Sequence, residues 1–207
     1  MKYAFNNRAK AELVILKELL ETKSPNNRTI NLLDSCTFED ITIMVFPHAG
    51  AHIDKFQALS SHLIPLSQQL IEGVLFMHSK NIAHMDIKPW NLLVNPTGKL
   101  TIIDFGLSSK FADGDTLWEE FIGTPNWTAP EIGIEPYNPM LADVWACRNI
   151  IKTMHAIVTG KEKKEVRPEF SFLEDIFIKL TREDPKSRLS LEEAADRIKC
   201  QATVVQG

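Results

Sequence analysis

The chain has 207 residues, 23 Lys and Arg against 27 Asp and Glu, a net charge of −4, and 44% hydrophobic residues. That length holds one domain or a small two-lobed one and needs no covalent staples. The mild acidity excludes a broad nucleic-acid-binding surface, and three scattered cysteines, Cys36, Cys147 and Cys200, suit a reducing compartment and give no metal-site spacing. Residues 1–8 lack an apolar run, so no secretory signal is expected, and nothing reaches bilayer-spanning length. The expected setting is cytoplasmic, with a nuclear one as the second choice, and neither nucleic acid nor membrane is an expected partner.

The first predicted element is an amphipathic helix over 9–21, with Leu13, Leu16 and Leu20 on one face. Pro25 and Asn26-Asn27 end it. Two strands are predicted at 30–33 and 41–46 around Glu39-Asp40. A helix over 64–79 carries Leu66, Leu70, Val74 and Met77 on one stripe, the spacing of core packing.

Residues 82–106 read as loop, strand, turn, strand, loop. Leu92–Val94 and the apolar run 100–103 flank Asn95-Pro96-Thr97-Gly98, whose Pro second and Gly fourth suit a type I turn. Such a hairpin holds Asp86 and Asn91 at one end and releases Asp104 from the same end. Three oxygen-bearing side chains then converge, a set that suits a hard cation alongside phosphate oxygens. A polar segment, 107–120, follows and reads as a loop. Val144, Cys147, Ile151, Met154 and Val158 mark a buried helix over 140–159. A charged link, 161–165, reads as solvated. Phe172, Leu173, Ile176, Phe177 and Leu180 mark another helix, and a last helix is predicted over 190–199.

Three motifs stand in order: His84-Met85-Asp86-Ile87-Lys88-Pro89-Trp90-Asn91, Asp104-Phe105-Gly106, and Gly123-Thr124-Pro125-Asn126-Trp127-Thr128-Ala129-Pro130-Glu131. Together they resemble the catalytic loop, the metal loop and the end of the activation segment of eukaryotic protein kinases of the Ser/Thr type. Asp143-Val144-Trp145 and Asp184-Pro185-Lys186-Ser187-Arg188-Leu189-Ser190 resemble two further motifs of that family.

The resemblance implies an α+β, bilobal protein-kinase-like fold, with a reduced small β lobe and a mainly helical large lobe. The kinase domain would cover 1–200, with a partial small lobe at 1–46, a hinge at 47–49, a large lobe at 50–200 and a tail at 201–207. It implies ATP, Mg²⁺ and a protein substrate with a Ser or Thr hydroxyl. Asp86 would accept the hydroxyl proton, Lys88 would absorb charge at the γ-phosphate, and Thr124 would bridge the two. Asn91 and Asp104 would hold Mg²⁺. Pro47 and Ala49 would face adenine through carbonyl and amide, Phe46 would be the gatekeeper, and Leu93 would lie beneath the ring. His84 would pack on Phe105, and Glu131 would pair with Arg188.

Glu12 has two readings. As a helical Glu it is a solvated carboxylate; by resemblance it is the small-lobe helix Glu that pairs with a strand lysine on the α- and β-phosphates. Lys2 is the one nearby candidate for that lysine, but ten positions is shorter than the family's usual separation. The Gly-rich loop belongs upstream of this point. The first three strands are therefore expected to be absent or reduced, and residues 1–207 to bind MgATP weakly and transfer phosphate very slowly, if at all. A pseudokinase acting as a binding scaffold is the alternative. Two departures stand out: Met85 replaces the family's Arg, so activity should not need a phosphate on Ser108, Ser109 or Thr116, and Arg148 stands where the family usually has Gly.

Overall fold

The computed structural model describes residues 2–5, 7–159, 171–180, 182 and 184–205. The link predicted at 161–165 lies outside them. The chain starts with a strand, β1 (Lys2–Phe5), followed by a helix, α1 (Asn7–Glu21). Two strands, β2 (Asp34–Phe38) and β3 (Ile41–Val45), complete an antiparallel sheet in the order β1-β3-β2. One strand, bearing Lys2, thus precedes α1, within the reduced set of strands expected for this region. Lys2 stands opposite Met44 in the register.

The strand predicted at 30–33 is displaced to Asp34–Phe38. A two-residue turn at Glu39 and Asp40, with Glu39 at φ 52°, closes Phe38 onto Ile41, so the strand must end at the turn. Its residues are mostly polar and exposed, which hid it from the apolar pattern. Ile30 instead gives its backbone N–H to the Ile102 carbonyl.

In α1 the buried stripe is Ala9, Glu12, Ile15, Leu16 and Leu19, and Leu20 is exposed. The predicted face through Leu13 and Leu20 is therefore rotated. A carboxylate on the core stripe masked the true period.

Below the sheet lie β4 (Ala51–His52), α2 (Leu59–His78), β5 (Ile82–Ala83), β6 (Leu92–Val94), β7 (Leu100–Ile102) and β8 (Ser109–Lys110). The helices α3 (Pro139–Thr159), α4 (Ser171–Leu180) and α5 (Leu191–Val205) follow. The fold is α+β, with a small strand-rich portion and a larger helical one. The last helix runs to Val205, through most of the segment expected to be a tail.

Leu66, Leu70, Val74 and Met77 are fully buried along α2, where it packs against α3 and α5. Each such side chain contributes about 1.5–3 kcal/mol. One apolar cluster runs from Leu16 and Leu19 through α2 and α3 to Ile198. The predicted hairpin is present: β6 and β7 pair antiparallel, and the Gly98 N–H closes onto the Asn95 carbonyl at 3.0 Å.

Candidate active site

The site is built on a short, tightly held loop. Asp143, 1% exposed near the start of α3, accepts the backbone N–H of His84 at 2.7 Å and of Met85 at 2.9 Å. The His78 Nε2–H donates to the same carboxylate at 3.1 Å. These bonds hold Met85 at φ 64°, a left-handed conformation that a non-glycine residue adopts at a cost. The His84 Nδ1 accepts the Asp86 N–H at 3.3 Å, and its Nε2–H donates to the Ile103 carbonyl at 3.1 Å. A carbonyl only accepts and a backbone N–H only donates, so these contacts put a ring hydrogen on Nε2 and use Nδ1 as the acceptor. Its ring lies edge-on to Phe105, with centroids 5.0 Å apart, as the resemblance implies.

Asp86 is where three segments meet. Lys88 Nζ donates to Asp86 Oδ2 at 2.6 Å and to Thr124 Oγ1 at 2.8 Å; the Thr124 hydroxyl donates to Asp86 Oδ1 at 2.7 Å. A single-turn 3₁₀ helix, Pro89–Asn91, swings Asn91 back so that its amide nitrogen donates to the Asp86 carbonyl at 2.9 Å and to Oδ2 at 3.1 Å. Gly123, just before Thr124, sits at φ 124°, and a Cβ there would come within 3.2 Å of the Met85 carbonyl and closer still to Thr128. Glycine is required for Thr124 to approach the loop.

A second ionic cluster gathers Lys2, Glu12 and Asp104. Lys2 Nζ lies 2.7 and 2.8 Å from the two Glu12 oxygens and 2.7 Å from Asp104 Oδ1. Glu12 is buried, and its Oε1 also accepts the Phe105 backbone N–H at 3.2 Å. The solvated-carboxylate reading of Glu12 is thereby overturned. Burial alone would lower the Lys2 pKa, but hydrogen bonds to Asp104 and Glu12 and their charges outweigh it and raise it. Burial likewise works against the Asp104 carboxylate, and the Lys2 contact outweighs it, holding the group below the ordinary carboxylate range. Asp104 also has positive φ, 65°.

Among the described residues, no three His, Cys, Asp or Glu side chains converge as a self-sufficient metal site. Asn91 and Asp104 are a sparser set. Their amide and carboxylate oxygens fit a small hard cation that takes its remaining ligands from phosphate and water, the usual habit of Mg²⁺. Pro47 is exposed and Ala49 half-buried in the connection after β3. Leu93 is half-buried between fully buried Leu92 and Val94, so it occupies the opposite face of β6 from them.

Two assignments change. Ser108 is buried, its hydroxyl donating to the His84 carbonyl at 3.1 Å, so it is a structural link and not an exposed acceptor. Asp143 is the loop's anchor, a role the sequence reading did not give it. A buried Asp at the head of an apolar helix was the available signal, because such a charge must find donors. Glu131 and Arg188 do pair, through two bonds of 2.6 and 2.7 Å, and the guanidinium also donates to the Leu141 and Arg182 carbonyls.

Comparison with known proteins gives the same direction. The family model described as "Protein kinase domain" matches residues 2–198. Among curated relatives, CBL-interacting protein kinase 8 of Oryza sativa subsp. japonica is 48% identical over 90 residues, 43% of this chain and 20% of the relative. Serine/threonine-protein kinase HAL5 of Candida glabrata is 35% identical over 148 residues, 66% of this chain and 17% of the relative. Probable serine/threonine-protein kinase KKQ8 of Saccharomyces cerevisiae is 37% identical over 174 residues, 72% of this chain and 23% of the relative. The chain thus spans about a fifth of the length of these relatives. No helix among the described residues is long and apolar enough to cross a membrane.

Proposed function

Because the chain belongs to the protein kinase family, we propose that it transfers the γ-phosphate of ATP to a serine or threonine hydroxyl of a protein. The observation that carries this reading is the Asp86–Lys88–Thr124 triangle, closed by bonds of 2.6, 2.8 and 2.7 Å. Its lysine and threonine fit the Ser/Thr type, as do the names of the relatives.

In this reading the acceptor oxygen attacks the γ-phosphorus as the bond to the bridging oxygen breaks and ADP leaves. Asp86 receives the hydroxyl proton, and Lys88 offsets the negative charge on the transferring group. Lys2, oriented by Glu12, holds the α- and β-phosphates. Pro47, Ala49 and Leu93 line the adenine. Asn91 and Asp104 are the residues that would hold Mg²⁺, which when bound supplies charge neutralisation. The 2.7 Å contact between Lys2 and Glu12 supports a measurable turnover by residues 1–207.

One observation favours the scaffold alternative: Lys2 and Asp104 bind each other directly, so each holds a group that the other reading assigns to phosphate or metal. Calorimetric titration with MgATP, on the unmodified chain and on Asp104→Ala, separates the two. Binding that depends on Mg²⁺ and is lost in Asp104→Ala supports the phosphotransferase. Absence of nucleotide binding supports the scaffold.

A further inference from the structure

Three segments enclose a cleft of about 190 Å³ that the proposed transfer does not use. Its walls are residues 27–31, the Pro47–Ala49 connection and, from the β6–β7 hairpin, Asn95 and residues 99–101. Sites for drug-sized ligands run to roughly 300–1,000 Å³, so this one suits a small group. The walls are fastened. The Ile102 N–H donates to the Arg28 carbonyl at 2.7 Å, and the Ile30 N–H donates to the Ile102 carbonyl at 2.9 Å. Asn27 donates to the Leu19 carbonyl at 2.9 Å, and its Oδ1 accepts the Thr29 N–H and hydroxyl at 3.0 and 2.7 Å. Across the cleft the Lys99 N–H donates to Asn95 Oδ1 at 2.9 Å.

The lining carries two fixed cations, Arg28 and Lys99. Arg28 is built in. A Cβ on Gly73 would come within 2.8 Å of the Arg28 Cβ, so this glycine of α2 is what lets the arginine stem lie there. Its side chain is 19% exposed, and Nη2 donates to Glu72 at 3.1 Å. Its Nε is buried without an acceptor. Glu72 is shared: Gln68 donates to its other oxygen at 2.8 Å, and Lys199 approaches that oxygen at 3.9 Å. A guanidinium presents five N–H donors in a planar fork that matches the oxygens of a phosphate. One carboxylate oxygen at 3.1 Å leaves that fork short of acceptors. A tetrahedral dianion supplies both the missing acceptors and the counter-charge for a second cation, Lys99.

We propose that this cleft binds a phosphate group, with Arg28 and Lys99 as its cations. The inference is independent of the phosphotransferase reading, because Lys2, Asp86, Lys88 and Asp104 take no part in it. A phosphate held here touches three segments at once, so it stabilises the folded chain by linkage. Free phosphate and a phosphorylated side chain present the same dianion, and the experiment separates them.

The test is calorimetric titration at constant ionic strength, which removes general screening. The probes are inorganic phosphate, a phosphoserine peptide of alanine background and the same peptide unphosphorylated. Inorganic phosphate should bind saturably and raise the melting temperature. Lys99→Glu and Arg28→Gln should each weaken it at least about tenfold, while Lys2→Met and Lys88→Ala leave it within about twofold. Lys99 is exposed, so Lys99→Glu should fold, and its melting temperature without phosphate checks this. A phosphoserine peptide that binds tighter than inorganic phosphate, with no binding of the unphosphorylated form, supports the site and assigns the group to a protein segment. Binding of inorganic phosphate but of neither peptide supports it for the free anion. Absence of phosphate binding, equal binding of both peptides, or phosphate binding that survives Lys99→Glu but is lost in Lys2→Met or Lys88→Ala would overturn the proposal.

Discussion

Lys2 and Glu12 are ten positions apart in the chain, and their side chains meet at 2.7 Å. The short separation suffices because the strand ends at Phe5 and the helix starts at Asn7, so little chain is spent between them. The pair also fixes the Asp104-Phe105-Gly106 loop, since Glu12 holds the Phe105 N–H and Lys2 holds Asp104. Lys2→Met should therefore weaken MgATP binding and lower phosphate transfer at least tenfold. The melting temperature should fall as well, because Glu12 is only 3% exposed and loses the cation that compensates its burial. Unchanged nucleotide affinity would remove Lys2 from the phosphate site.

Asp143 should be costly to replace. Asp143→Ala leaves two loop N–H groups buried without acceptors, at about 1–3 kcal/mol each. Denaturant unfolding should show a loss of roughly 2–6 kcal/mol, together with loss of transfer as Met85 relaxes from its left-handed conformation. A loss no larger than that of an exposed substitution such as Glu119→Ala would contradict the anchoring role.

The Glu131–Arg188 pair has both partners buried and every guanidinium nitrogen engaged. Arg188→Ala strands a carboxylate in the interior and should cost about 3–5 kcal/mol. Lys186, exposed two residues earlier, should cost next to nothing. Thermal unfolding of the two variants side by side decides it.

Met85 is buried in an apolar cluster with Phe111, Tyr137 and Met140, flanked by Trp118. The Trp118 and Tyr137 backbones exchange bonds of 2.8 and 2.9 Å, so packing and backbone pairing fasten the segment. Replacing Ser109 and Thr116 together by Ala should leave turnover within a few-fold. Collapse to background would show that a phosphate is needed after all. Ser108→Ala is a different test: it removes a buried hydrogen bond and should lower stability by about 1 kcal/mol.

The Lys2–Asp104 contact also sets a pH dependence. The folded-state pKa of Asp104 lies below its ordinary 3.8, so the unfolded chain takes up the proton first as pH falls. The contact's stabilisation is present above about 4 and is lost as pH drops through the folded-state value. For Lys2, raised above its ordinary 10.5, stabilisation is present below that value and is lost as pH rises through the folded one. The stability difference between the unmodified chain and Asp104→Asn should hold from neutral pH to about 5 and shrink below 4. A constant difference down to pH 3 would contradict the contact.

The large helices and the hairpin were legible in the sequence because apolar period and turn chemistry agree there. Leu66, Leu70, Val74 and Met77 sit fully buried on the stripe that their spacing implies. Asp86, Lys88 and Thr124 were legible as a set through their motifs, and the structure brings them into mutual contact. What escaped was set by tertiary context. The strand at Asp34–Phe38 is polar and edge-placed, so only its turn and partner reveal it. The buried face of α1 is interrupted by Glu12, whose burial is compensated by a lysine and a backbone amide from distant segments. Asp143 looked like part of a motif until its two backbone partners gave it a function.

The central claim is that Asp86 receives the acceptor proton during phosphate transfer. The direct measurement is incorporation of labelled γ-phosphate from MgATP into serine or threonine of a protein substrate, by residues 1–207 and by Asp86→Asn, with MgATP affinity measured for both. Transfer by the unmodified chain, reduced about 10²–10⁴-fold in Asp86→Asn at unchanged nucleotide affinity, is the expected result. Equal transfer by both chains, or no transfer by an unmodified chain that binds MgATP, would contradict it.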